Sequence, residues 1–154
     1  RPLYTSIRRM VTDHDETQDV LQNTFIKAWN GLDKFREDAK LYSWLYRIAH
    51  NECLNHLRSM KRGLFTSDAV VLERLTTTMD SSEHFSGDAI QMKLQHAVMK
   101  LPNKQRAVFN MKYFEALKYE EISEITGTSV GALKSSFHIA VKKIEGWLTA
   151  DQTK

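Results

Sequence analysis

Cysteine is all but missing from this chain. Only Cys53 carries a thiol, so no internal disulfide can form, and a reducing cytosol suits such a chain. Cys53 lies on the apolar side of a helical pattern, where core filling is its expected role; no histidine or carboxylate can be paired with it to make a nucleophile. No apolar run exceeds a few residues, which excludes a membrane-spanning helix. No apolar stretch follows the basic start, so no secretory signal is expected. The six histidines are His14, His50, His56, His84, His96 and His138. None are paired at metal-ligand spacing, and CxxC and HExxH are both absent. There is no glycine-rich phosphate loop and no nucleophile–base pair. No stretch alternates with the period of a strand. The expectations are an all-α chain, no metal, no cofactor and no enzymatic activity.

What is present is charge, unevenly placed. Residues 1–62 hold 11 Lys/Arg against 8 Asp/Glu, residues 63–90 hold 1 against 5, and residues 91–154 hold 10 against 6. Two basic segments therefore flank an acidic one, as two modules touching a polyanion through a tether would. The length of 154 residues suits one medium domain or two small ones, and 27% charged with 42% hydrophobic residues is an ordinary globular balance. The chain begins at Arg1 without a methionine, and a short N-terminal piece is expected to precede it.

In order, residues 3–11 read as the end of a helix with Leu3, Ile7 and Met10 or Val11 inward. Asp13–Glu16 is a polar break able to cap the next helix. That helix, over about 17–30, is expected to bury Leu21, Phe25, Ala28 and Leu32, with Gly31 as its stop. Its other side, Asp19, Gln22, Asn23 and Lys27, is either a plain solvated face or a docking face for a protein helix. Residues 41–62 read as one helix after a polar loop. Leu41, Trp44, Leu45, Ile48, Ala49, Cys53 and Leu57 form its apolar stripe. Residues 63–89, rich in Ser and Thr, read as a flexible linker with at most a helical turn at 69–72. Helices come next at 90–100, 102–114, 119–126 and 130–148. Pro102 suits a first turn, Gly127 a tight turn, and Ser129 an N-cap. The domains expected are 1–62, a linker 63–89, and 90–154.

Two constellations point to nucleic acid. Arg47, Asn51, Asn55 and Arg58 share one face of the 41–62 helix, with the rings of Tyr42, Trp44 and Tyr46 beside them. Cations for phosphates, amides for base edges and rings for stacking are what reading exposed bases requires. By itself the pattern also fits an ordinary surface helix. The second constellation is a short helix, a glycine turn and a longer helix, the helix-turn-helix pattern. Lys134 and Ser135 sit near the end of the second helix that enters a major groove. His138 lies on the same side, and Lys142 and Lys143 suit phosphates or solvent. Many helical hairpins share this pattern without binding DNA.

The segment DETQDVLQNTFIKAWNGLDKFREDAKLYSWLYRIAHNECLNHLRSMKR resembles the promoter-melting domain of extracytoplasmic-function (ECF) sigma factors. LPNKQRAVFNMKYFEALKYEEISEITGTSVGALKSSFHIAVKKIEGWL resembles their C-terminal helix-turn-helix domain. The resemblance covers nearly the whole chain. It implies a cytoplasmic protein that binds bacterial core RNA polymerase and promoter DNA, helps melt it, and answers to an anti-sigma factor. It implies that Asp19, Gln22 and Phe25 dock on the polymerase clamp. The loop Asp38, Ala39, Lys40, Leu41 and Tyr42 would capture a flipped minus-ten base, with Trp44, Arg47, Asn51 and Asn55 on the helix behind it. Lys112, Tyr119, Glu120, Lys134, Ser135 and His138 would face the minus-thirty-five element. Relatives often read KSRLHRARKKL where this chain reads KSSFHIAVKKI. Ser136, Ile139 and Val141 thus stand at commonly basic positions, and each lost phosphate contact flattens the salt dependence by about one unit. The readings that compete are a stand-alone helix-turn-helix regulator and an adaptor that binds only protein.

Overall fold

In a computed structural model, which describes residues 2–35, 40–64 and 67–152, the chain is helical and, among the described residues, has no strand. Its elements are α1 (Pro2–Val11), α2 (His14–Asn30), a 3-10 turn at Leu32–Lys34, and α3 (Leu41–Leu64). Next come α4 (Asp68–Asp80), a 3-10 turn at Glu83–Phe85, α5 (Ala89–Met99), α6 (Asn103–Tyr113), α7 (Tyr119–Thr126) and α8 (Val130–Gln152).

The helix ends fall where the sequence supplies caps. Asp13 Oδ2 accepts the Glu16 N–H at 2.9 Å, satisfying one of the free donors at the start of α2. Asp88 does the same for Gln91 at 2.8 Å, and Ser129 Oγ for Ala132 at 3.2 Å. Gly127 ends α7 in the left-handed region, with φ of 75°, where a Cβ would be strained.

One correction concerns the middle of the chain. The stretch read as at most one turn at 69–72 is the 13-residue helix α4. It buries Val71, Leu75 and Met79, a four-residue spacing that keeps one face inward. Phe85, in the turn after it, is also buried. The N-terminal helices share their buried side chains with the helices that follow. One continuous buried cluster runs from Ile7, Val11, Val20 and Leu57 through Leu75 and Met79 to Met111, Ile122, Ile125 and Leu133. A second cluster joins α5, α6 and α8 through Val98, Leu101, Phe109, Ala140 and Ile144.

Polar bonds cross between the halves. Glu115, in the turn between α6 and α7, accepts hydrogen bonds from the hydroxyls of Ser6 and Tyr46. Its burial raises the carboxyl pKa above the usual carboxylate range. Arg106 of α6 is buried and donates to the Met10 carbonyl at 2.8 Å. Removal from water pulls its pKa down to about 10, still high enough to keep it charged at neutral pH. The Arg9 guanidinium stacks 4.6 Å from the Phe114 ring centre. Cys53 fills core space in α3, and burial pushes its thiol up to about 12, leaving it protonated and inert.

Candidate nucleic-acid interface

The face of α3 opposite the core forms one side of a groove. Its remaining walls come from α2 and the turn at Leu32–Lys34. Trp44, Asn51, Asn55 and Arg58 line it together with Lys27 and Lys34, enclosing about 540 Å³. Steps of three and four along α3 place these side chains in one row. Arg58 donates to Asn55 Oδ1 at 2.5 Å, which fixes the orientation of that amide. The Trp44 ring lies 5.1 Å from Phe35, tilted by 53°. Arg47 is exposed on the same helix but stands apart from this groove, against the Gly127 turn. A Cβ there would come within 4.0 Å of its guanidinium.

The sequence reading needs correction at both edges of α3. Tyr46, placed beside the reading face by its spacing, is only 4% exposed and points at Glu115. Burial and that carboxylate raise its hydroxyl pKa, so it is a structural group. Leu41, assigned to the apolar stripe, is exposed. Tyr42 is half-buried and meets Tyr46 edge-on at 5.6 Å, while Lys40 is exposed. Asp38 and Ala39 lie outside the described residues.

On α2, Asp19, Gln22 and Asn23 are exposed. Phe25 and Leu32, which the periodicity puts inward, are exposed as well. The buried stripe of α2 is Thr17, Val20, Leu21, Thr24 and Ala28. Beside it runs a second stripe, which holds Gln22 and Phe25 of the expected docking face together with Ile26 and Trp29, which the sequence analysis leaves unassigned. Gln22, Phe25, Ile26 and Trp29 line an open apolar groove, and Trp29 is 77% exposed. The signal was available in the steps 22, 25, 26 and 29. A tryptophan left this open is a feature of interfaces.

In the C-terminal half, α7 and α8 pack as a helix-turn-helix. Lys134, Ser135, His138 and Lys142 are exposed along α8, and Glu120 is exposed on α7. Leu133 and Ile144 are buried on the opposite side, whereas Ala132 is exposed. Three of the expected residues converge: the Lys112 ammonium lies 4.4 Å from the Tyr119 ring centre and that of Lys134 lies 5.8 Å from it. Lys112 also donates to the Leu117 carbonyl at 3.3 Å. Of the three positions that break the basic pattern, Ile139 is exposed, Ser136 is half-buried, and Val141 packs on the second core cluster. Among the described residues there is no cluster of His, Cys, Asp or Glu able to hold a metal. No described helix is long and apolar enough to cross a membrane.

Comparison with known proteins bears on both interfaces. The sigma-70 region 2 profile matches residues 1–63, and the sigma-70 region 4 profile matches residues 91–144. The RNA polymerase sigma-H factor of Pseudomonas aeruginosa is 34% identical over 155 residues, covering 90% of this chain and 76% of its own. The ECF RNA polymerase sigma factor SigW of Bacillus subtilis is 33% identical, covering 88% of this chain and 77% of its own. Among solved structures, the sigma factor RpoE of Bartonella quintana, in complex with the anti-sigma factor NepR, aligns over 97% of this chain and 91% of its own. Its TM-score is 0.70 at 22% identity. CnrH, in complex with the cytosolic domain of CnrY, aligns over 97% of this chain and 81% of its own with a TM-score of 0.67 at 25% identity.

Proposed function

The chain belongs to the ECF sigma factors of bacterial RNA polymerase, and from that premise we propose how its surfaces divide the work of starting transcription. It acts by binding core polymerase and recognising a promoter; it is not an enzyme, and the polymerase does the chemistry. Residues 1–62 form the melting and docking domain, 63–89 the connection, and 90–154 the duplex-reading domain.

The α3 groove receives the minus-ten strand. Unstacking a base costs a few kcal/mol, and the groove returns it through stacking on Trp44 and edge bonds from Asn51 and Asn55. Arg58, Lys34 and Lys40 take phosphates. Lys134, Ser135 and His138 face the minus-thirty-five duplex, where Lys112, Tyr119, Glu120 and Lys142 complete the contact. Asp19, Gln22, Asn23 and Phe25 dock on polymerase, joined by Ile26 and Trp29. An anti-sigma factor is the partner that restrains it by covering these faces, and the protein works in the cytoplasm. Two modest DNA contacts held on one polymerase reinforce each other by effective concentration.

The observation that carries this reading is the single open groove that unites Trp44, Asn51, Asn55 and Arg58. Its test is reconstituted transcription. With bacterial core polymerase and a promoter library, this chain supports initiation that core alone does not give. Failure to co-elute with core, together with no initiation, refutes it.

A further inference from the structure

The minus-ten and minus-thirty-five elements are centred about 25 base pairs apart, roughly 85 Å along a duplex. A compact chain of 154 residues is about 40 Å across. In this structure the two DNA-facing regions are neighbours. The Arg47 guanidinium of α3 stands at the Gly127 turn that leads into α8. A chain folded this way cannot occupy both elements at once.

The second half also covers part of the first half's reading face. Glu115, in the turn between α6 and α7, accepts hydrogen bonds from Tyr46 of α3 and Ser6 of α1. Tyr42 is held at the same place: burial first, then the charges of Glu115 and Glu121, pushes its hydroxyl up to about 12. Tyr42, Tyr46 and Arg47 are expected beside bases, yet they stand apart from the α3 groove and meet the second half instead. The joint is also poorly satisfied. Arg106 is buried against α1 with its Nε unpartnered among the described residues, and so is Asn110 Oδ1, one turn further along α6. Orphaned groups of this kind cost stability, and water satisfies them once the joint opens.

We propose that this closed form is autoinhibited: the α6–α7 turn, latched by Glu115, masks Tyr42, Tyr46 and Arg47 until polymerase draws the two halves apart. This rests on the sigma-factor reading above. A polymerase that holds the halves at separate places binds the open form alone and shifts the population toward it. Without polymerase, affinity for an exposed minus-ten strand is reduced by the fraction of chains that are open.

The experiment uses the full chain, first without polymerase. Small-angle scattering gives its radius of gyration. A fluorescent single strand carrying the minus-ten element of an initiating promoter gives its affinity. The unchanged chain should show the roughly 15 Å of a compact chain of this length and bind the strand weakly. Glu115→Ala removes two hydrogen bonds across the joint; its radius should rise, and its affinity for the strand should increase roughly tenfold. Ser6→Ala, which removes one of the two bonds, should move both readings the same way by less. On core polymerase all three chains should open the promoter alike, because the latch is already released there. A Glu115→Ala chain that stays compact with unaltered affinity overturns the proposal. So does a gain in affinity at constant radius, which would reduce Glu115 to a charge that repels phosphate, and so does a larger radius with no gain in affinity. If Glu115→Ala does not fold, Ser6→Ala decides. Should the unchanged chain initiate from no promoter with core, the sigma-factor reading fails and the proposal falls with it; initiation without a Glu115-dependent change in the free chain sinks the proposal alone.

Discussion

The α3 groove and the front of α8 both face DNA in this account, yet they are built in opposite ways. The groove is concave and mixes a ring, amides, cations and one acid. The α8 front is convex and carries lysines, a serine and a histidine. An unpaired base shows a face and an edge, so its receptor needs a wall to stack on and groups beside it. A duplex hides the faces and shows only edges in a groove, so its reader must protrude. The difference shows that net basicity alone does not say which form of DNA a surface reads; curvature and the presence of rings do.

If the two regions hang on one core, loosening that core disturbs both at once, and this is the largest effect we expect. His50 of α3 is buried near Lys104 of α6. Burial first, then that lysine, lowers its pKa from 6.5 to about 4. The unfolded chain binds this proton more readily, so the stabilising contribution is complete above pH 6.5 and lost as pH falls toward 4. It amounts to about 3 kcal/mol. Chemical denaturation across this range should show the loss, and His50→Leu should flatten it; equal slopes in both proteins would remove His50 from the account.

Next in size is a change that spares both DNA-facing regions. Trp29→Ala should weaken binding to core polymerase by about 2 kcal/mol, the scale of an interface anchor, without altering DNA preference. Titration with labelled core measures this, and unaltered affinity would take Trp29 out of the docking face. Trp44→Ala acts on the groove alone. Losing one stacked base should reduce promoter opening by at least about 1 kcal/mol while polymerase binding holds, as permanganate reactivity of the opened strand would report. The smallest effect belongs to the α8 front. Lys134→Ala should lower the salt slope of duplex binding by about one unit; a slope equal to that of the unchanged chain would place Lys134 away from phosphate.

Much of this was legible in the sequence. The helix boundaries could be read from Asp13, Gly127 and Ser129, because caps are local chemistry. Helical spacing puts Asn51, Asn55 and Arg58 in one row, but it adds Arg47, which stands apart from the groove, and assigns Trp44, which lines it, to the apolar stripe. Periodicity does not say which of two adjacent apolar stripes is covered, so it puts Phe25 and Leu32 inward and leaves Trp29 unassigned. Spacing puts Tyr46 beside the reading face because its partner, Glu115, is 69 residues away and leaves no local signal. Helix α4 was hidden by the Ser/Thr-rich composition around it, although Val71, Leu75 and Met79 repeat every four residues.

The most direct test of the division of labour is a crossed binding measurement on polymerase carrying this chain. Two probes come from an initiating promoter, one with the minus-ten strand exposed and one with only the minus-thirty-five duplex. The account predicts that Trp44→Ala weakens binding to the first probe alone and Lys134→Ala to the second alone. Equal losses on both probes, or losses that swap, would contradict it.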